Sequence, residues 1–597
     1  MAAQVHRGPD AEGYFFSSRA ALGHRRLAII DLSDSASQPM HDYSGRYVVT
    51  FNGEIYNFKR LRSQLKGYPF RTNSDTEVVL AAFAEWGEAA VERLEGQFAF
   101  AIWDARDEKL FLARDRLGEK PLYYHHCDGT FIFASELRAL LKSEFVPKKL
   151  SREGLLDYLV HESVRSPGTM IADVFQVPPG HSGWFENGGL ELRSYWSLPP
   201  RRREAVAGNY SALCRDIRGL LDEATDGQMI SDVPIGAFLS GGIDSSAIVA
   251  LMAQRSSEPV NTLSVTFADE QFDESRYSSI VSNRFETRHH VVRLQPEALL
   301  EELPNYFISV DAPSGDGPNT YIVSKAAKQA GLTVVLSGVG GDELFAGYDT
   351  FKRYQSFCRY GYAWKTPSAL RGLAAQAAVR VFSSRTGRKA AALLMLEHSD
   401  AAGFYETNRS VFSRKEASSL LSESWRDVGV RPVRSLQNDE GFRALAPLSQ
   451  MSVLELSNYM QNVLLKDTDA MAMANSLEVR LPFCNHRLVE YMLAVPDRFK
   501  VGRRPKQLLV DALGGLLPSE VVDRPKMGFA FPWAKWIRKE LRAFCDAQLR
   551  RLGQRGVLDA AKIDALWRGF NSRSSSDDWS QIWLLVVLEQ WLERCEL

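Results

Sequence analysis

Apolar positions in the first third of the chain come in short bursts rich in aromatic and β-branched residues. Tyr47–Phe51, Gly96–Trp103, Leu110–Arg114 and Thr130–Ala134 all have this character, which predicts strands. Asn52-Gly53 follows the first burst and signals a tight turn. Asp75–Trp86 instead repeats its apolar residues at helical spacing behind a polar cap, predicting an amphipathic helix. Many strands and few helices predict layered sheets with helices outside.

The period changes after Pro199-Pro200-Arg201-Arg202-Arg203-Glu204, a stretch stiffened by proline and solvated by charge that reads as a linker. Tyr210–Asp226 predicts an amphipathic helix. A strand into Phe238-Leu239 follows, then a helix from Ala247, a strand at Asn261–Phe267, a helix through Ala326–Ala330 stopped by Gly331, and a strand at Thr333–Leu336. Strands alternating with helices predict a parallel α/β sheet with ligands at the carboxyl ends of its strands. From about Tyr348 helical patterns dominate, and Ser572–Ser576 reads as a short loop. The expected class is α/β with two domains: layered α+β over residues 1–200, then a parallel-sheet domain with a helical C-terminal part over 201–597.

Bulk properties narrow the partners. The 597 residues carry 72 Lys and Arg against 73 Asp and Glu. No global field then favours nucleic acid or an anionic membrane, and Arg201–Arg203 reads as solvated linker charge. The six cysteines show no metal-binding spacing, which predicts reduced thiols and a cytoplasmic protein. No apolar run approaches the ~20 residues that span a bilayer, and Met1–Arg7 lacks a signal-peptide core.

The candidate chemistry starts at Ser240-Gly241-Gly242-Ile243-Asp244-Ser245-Ser246, between two apolar stretches. Strand, glycine turn and helix N-terminus together form an anion cradle. Asp244 repels phosphate unless a metal ion lies between them. The lysine of the common phosphate loop is missing. The pattern resembles the pyrophosphate loop (PP-loop) of ATP pyrophosphatases, which split ATP between the α- and β-phosphates. The next strand ends in a second glycine-rich acidic turn, Ser337-Gly338-Val339-Gly340-Gly341-Asp342-Glu343. Its acids alone would read as helix caps. Beside the first turn, Asp342 and Asp244 together suit Mg²⁺ on a pyrophosphate.

Further motifs run the length of the chain: His6–Asp10, Gly23–Asp31, Ser37–Met40, Phe51–Asn57, Ser74–Glu77, Arg114–Tyr123, Leu477–Phe483 and Arg524–Phe529. In this order they resemble the glutamine-hydrolysing asparagine synthetases over nearly the whole chain. The resemblance implies an N-terminal-nucleophile glutamine amidotransferase domain followed by a PP-loop synthetase domain. It implies that Arg26 grips the glutamine carboxylate and Asp75 its ammonium, with Asn52 and Gly53 as oxyanion hole and Glu54 contacting substrate. It places Phe238, Val265, Ser337 and Gly338 around adenosine, and Ser240, Gly241, Gly242, Asp244 and Ser245 on the pyrophosphate. Asp342, Lys466 and Lys526 would then act on the departing pyrophosphate, with Asp244 and Asp342 holding Mg²⁺. The implied substrates are ATP, aspartate, and glutamine or ammonia; a homodimer is implied as well.

Three departures stand out. The family's nucleophilic cysteine follows the initiator Met, whereas here Ala2 does and no cysteine precedes Cys127. The chain as written is therefore not expected to hydrolyse glutamine by that chemistry. His6–Asp10 also lies earlier than the family places it, which reads as a start at an internal methionine. A true loss, with ammonia as donor, is the alternative, and the intact glutamine-site residues favour the first reading. Val339 stands where asparagine synthetases commonly have an acid, which leaves open another acceptor carboxylate from surface-polysaccharide, peptide or β-lactam pathways. Asp311-Ala312-Pro313 lacks the family's acid before proline. A sensor that binds glutamine without turnover is opposed by the intact synthetase motifs.

Overall fold

The computed structural model describes residues 1–199, 209–267, 274–381, 385–426, 439–524, 531–572 and 578–597. Of the expected Pro199–Glu204 linker only Pro199 lies within them; most of the Ser572–Ser576 loop lies outside, as does Lys526.

The front half is built on a six-stranded antiparallel sheet. Its order is Gly189–Ser194, His181–Glu186, Lys109–Arg114, Gly96–Asp104, Tyr47–Ile55 and Met40–His41. Phe98, Phe100 and Ile102 point into one core with Val79, Leu80 and Phe83 of the helix Asp75–Trp86. Ala99, Ala101 and Trp103 point into a second core with Val48, Leu112 and Val177. Both faces are covered, so the strand reads as one apolar run. Smaller sheets flank this one: the hairpin Ala11–Phe16/Ala21–Arg26 and the strands Tyr123–Cys127, Thr130–Ala134 and Val174–Gln176.

Two expectations change here. Asn52-Gly53 is not a turn: the strand continues to Ile55, and Gly53 pairs with Phe98. A Cβ at Gly53 would fall 2.0 Å from the Gln97 carbonyl oxygen, and its φ is +149°. The glycine thus serves close strand approach rather than chain reversal. The helix Asp75–Trp86 has the expected bounds, with Thr76 N–H donating to the Ser74 cap at 3.0 Å. It is not half-exposed, however: every residue from Asp75 to Phe83 is buried.

The back half carries a five-stranded parallel sheet in the order Arg288–Leu294, Asn261–Phe267, Ile235–Phe238, Val334–Leu336, Glu478–Arg480. Ile235–Phe238 comes first in the chain and pairs with Asn261–Phe267 on one side and Val334–Leu336 on the other. The winding reverses there, and such switch points open a crevice at the strands' carboxyl ends. The remainder is helical, closing with Trp579–Cys595, which buries Trp583 and Trp591. Among the described residues no helix is long and apolar enough to cross a membrane.

The halves meet through polar contacts. Arg7 donates to both carboxylate oxygens of Asp469, at 2.7 and 3.1 Å. Trp196 donates to Glu490 at 2.7 Å.

Candidate active site

Both glycine-rich acidic turns leave neighbouring parallel strands at the switch point, and this brings them together. Gly241 turns through φ +72° and Gly242 N-caps the helix Ile243–Ala253, which no side chain caps. Its first N–H groups therefore face the crevice. The hydroxyls of Ser240 and Ser245 lie 3.1 Å apart inside the loop. The Asp244 carboxylate packs against the second turn so closely that a Cβ on Gly341 would fall 2.4 Å from it. Phe238 ends its strand, Val265 lies two residues before the end of the neighbouring strand, and Ser337 N–H donates to the Arg480 carbonyl at 2.9 Å.

Among the described residues Lys506 lies between the two acidic turns. Its ammonium pairs with Asp342 Oδ1 at 2.6 Å and also with Asp244. Burial pulls its pKa down, but the two carboxylates outweigh burial and leave it raised, so it stays charged. Arg524 is a second cation. It pairs with Glu274 at 2.8 Å, lies over the Tyr277 ring and approaches Gly242. Neither residue was selected from sequence. Arg524 opens the Arg524–Phe529 motif, and Lys506 is marked only by the neighbouring Arg503-Arg504.

Lys466, expected at the pyrophosphate, lies elsewhere. Its ammonium donates to the Val164 carbonyl at 2.5 Å, and burial drives its pKa down to about 7. It lines a narrow gap between the halves with Arg7, Ser314 and Asp469. The helix that begins at Leu465 turns it towards Val164 of the front half. Lys526 lies outside the described residues.

A ribbon of buried ionisable groups extends from Asp342. Glu343 accepts from Tyr348 OH at 2.7 Å, and burial, with Asp342 beside it, pushes its pKa up to about 7. Arg409 pairs with Glu455 at 2.8 Å and covers the rings of Tyr348 and Tyr459. Tyr459 OH donates to Asp316, whose carboxyl burial raises to about 6. Val339 is half-buried against the core. Asp311 accepts from the backbone N–H groups of Leu137 and Arg138, a joint between the halves.

The front half holds a cavity of about 440 Å³ lined by Arg26, Asn52, Gly53, Glu54, Asp75 and Gln38. The five predicted glutamine-site residues thus share one space. Arg26 braces its rim by donating to the carbonyls of Ser33, at 3.0 Å, and Asp31. Asp75 accepts from Ile55 N–H at 2.9 Å, and burial raises its pKa to about 6. Burial and Asp75 push the Glu54 carboxyl well up, with Arg480 pulling it back. No cysteine lines the cavity among the described residues. Arg480, fully buried, lies 3.5 Å from Glu54 and 2.8 Å from Glu478. One strand residue thus touches Glu54 of the front cavity by its side chain and the Ser337 turn by its backbone.

Comparison with known proteins agrees with this layout. A family model for glutamine amidotransferase domains matches residues 1–196, and one for asparagine synthase matches residues 216–593. Asparagine synthetase [glutamine-hydrolyzing] 1 of Bacillus subtilis is 31% identical over 98% of this chain and 92% of its own length. Asparagine synthetase [glutamine-hydrolyzing] 3 of the same organism is 31% identical over 93% of this chain and 88% of its own. Amidase chry2 of Gibberella zeae is 28% identical over 89% and 84%. The chain belongs to the asparagine synthase family.

Proposed function

We propose that the protein is a carbon–nitrogen ligase that makes asparagine from aspartate, using ATP and nitrogen from glutamine or ammonia. The observation that carries this reading is the convergence of Asp244, Asp342 and Lys506 over an uncapped helix N-terminus at the switch point. The relatives' printed names support aspartate over another acceptor. Val339 still removes one acid from the acceptor side, where Glu343 and Asp316 are the ionisable groups at hand.

The loop N–H groups and the hydroxyls of Ser240 and Ser245 would hold the pyrophosphate arm of ATP. An aspartate side-chain carboxylate then attacks the α-phosphorus. The new P–O bond forms as the bond to the bridging oxygen breaks, giving β-aspartyl-AMP and pyrophosphate. Lys506, held charged between two carboxylates, and Arg524 would neutralise the charge that builds on the leaving group. Ammonia adds to the acyl carbon, AMP leaves with the bonding pair, and the nitrogen loses a proton.

Among the described residues no cluster of three or more His, Cys, Asp or Glu forms a ready-made metal site. Two carboxylates facing a phosphate cradle fit Mg²⁺ that arrives with the nucleotide, since this ion keeps waters and takes one or two protein ligands. Bound there by Asp244 and Asp342, it would supply further charge neutralisation on the phosphates. In the front cavity Arg26, Asn52, Gly53, Glu54 and Asp75 would bind glutamine. A soluble, cytoplasmic, homodimeric enzyme of two domains, divided near residue 200, is part of the proposal.

The test is product analysis with ammonia as donor. Aspartate-dependent release of AMP and pyrophosphate supports the reading, and ADP with phosphate refutes it.

A further inference from the structure

The balanced overall charge hides a strongly unbalanced segment. Residues 351–396 contain nine Lys and Arg and no Asp or Glu, in a chain whose totals are 72 and 73; Asp349 and Glu397 bracket the stretch. The segment covers most of the helix Asp349–Arg359, a short 3₁₀ turn Gly361–Lys365, and the helical pair Ser368–Val381 and Arg385–Leu394.

In the first helix Phe351, Tyr354 and Phe357 face the core, which turns Lys352, Arg353 and Arg359 to solvent. Those three cations and Lys365 are exposed and make no ion pair among the described residues. Exposed apolar side chains follow in the same segment. Tyr360, Tyr362, Leu370, Leu373 and Met395 are each more than half exposed. Hydrogen bonds hold them at one end of the pair: Trp364 donates to the Leu396 carbonyl at 3.2 Å, and Arg371 donates to the same oxygen at 2.7 Å and to Leu394 at 3.0 Å. A Cβ on Gly372 would fall 3.9 Å from Met395 Sδ, so Met395 and the Leu370–Leu373 turn form one patch.

We propose that this face docks peripherally on an anionic phospholipid surface. The charge complements lipid phosphates, and the absence of any acid in the stretch removes local repulsion. Leucine and methionine gain by entering the acyl boundary, and tyrosine rings suit the headgroup level. A nucleic-acid backbone would satisfy the cations but leave Leu370, Leu373 and Met395 in water. Since no described helix is long and apolar enough to span, the contact is interfacial and reversible.

The experiment is co-sedimentation of the full chain with vesicles of phosphatidylcholine alone and of phosphatidylcholine mixed with phosphatidylglycerol. Binding is expected only to the mixed vesicles and to fade with added salt. Lys352→Glu with Arg353→Glu and Arg359→Glu should weaken it at least a hundredfold, at roughly fivefold per cation. Leu370→Ser with Leu373→Ser should weaken it without changing its salt dependence. Aspartate-dependent AMP release should persist in both variants, showing that they fold. Equal binding to neutral vesicles, no binding to either, or variants that bind like the parent chain would overturn the proposal. So would dissociation of a dimer by the serine variant, which would give this face to a second copy.

Discussion

Removing the Lys506 ammonium tests the synthetase site most sharply. Lys506→Met keeps length and apolar bulk but leaves Asp244 and Asp342 facing each other with 18% and 22% of their side chains exposed. At 2.6 Å from Asp342 and an effective dielectric of about 20, the gross attraction is about 6 kcal/mol. Desolvating the ammonium offsets much of it, and breaking such a pair leaves a net loss of about 3 kcal/mol. In catalysis, a preorganised charge on a leaving group contributes about 3–4 kcal/mol, so kcat should fall by a factor of about 10²–10³. The assay is pyrophosphate release with aspartate and saturating ammonia, which bypasses the glutamine cavity. Lys506→Arg keeps the charge and should recover part of the rate. A Lys506→Met enzyme that folds and turns over within tenfold of the parent would refute the assignment.

Lys466→Met should leave pyrophosphate release within about threefold, because that lysine is engaged by the Val164 carbonyl of the front half; a hundredfold loss would restore it to the phosphate site. Glu343 has its pKa raised from 4.5 to about 7, so the native state holds a proton that the unfolded chain releases. Its contribution is therefore full below pH 4.5 and lost as pH rises through about 7. Glu343→Gln should flatten the fall in denaturation midpoint between pH 5 and pH 8, an effect of up to about 3 kcal/mol, and an unchanged slope would contradict this. Gly53→Ala must displace the strand that meets Gln97 and should cost about 2–3 kcal/mol with loss of glutamine binding, measured by thermal unfolding and calorimetry. The 597-residue chain should form asparagine faster with ammonia than with glutamine, since no cysteine lines the cavity among the described residues; equal rates would point to a nucleophile elsewhere.

What was legible in the sequence was what is local in it. Phe98–Trp103 reads as a strand because β-branched and aromatic residues cluster, and the Ser240–Ser245 loop reads as a cradle because strand, glycines and helix are consecutive. Asn52-Gly53 misled because a turn dipeptide and a close strand contact both favour glycine; only the partner Gln97, over forty residues on, separates them. The cation between the two acidic turns was illegible for a similar reason. Lys506 reaches Asp244 across 262 positions, brought there by packing of the helical part against the sheet. Lys466 and Lys506 are chemically alike in sequence, and only the fold turns one to Val164 and the other to the loop. The basic 351–396 segment was visible in composition but averaged away in the chain's net charge.

In the proposed reaction a carboxylate is adenylated in the crevice between the two acidic turns. Aspartate labelled with ¹⁸O in its side-chain carboxylate tests it directly, with ammonia as donor and mass spectrometry of the nucleotide. Attack by the carboxylate on the α-phosphorus followed by ammonolysis predicts AMP carrying one labelled oxygen, released with pyrophosphate. Unlabelled AMP, or ADP and phosphate as the products, would contradict it.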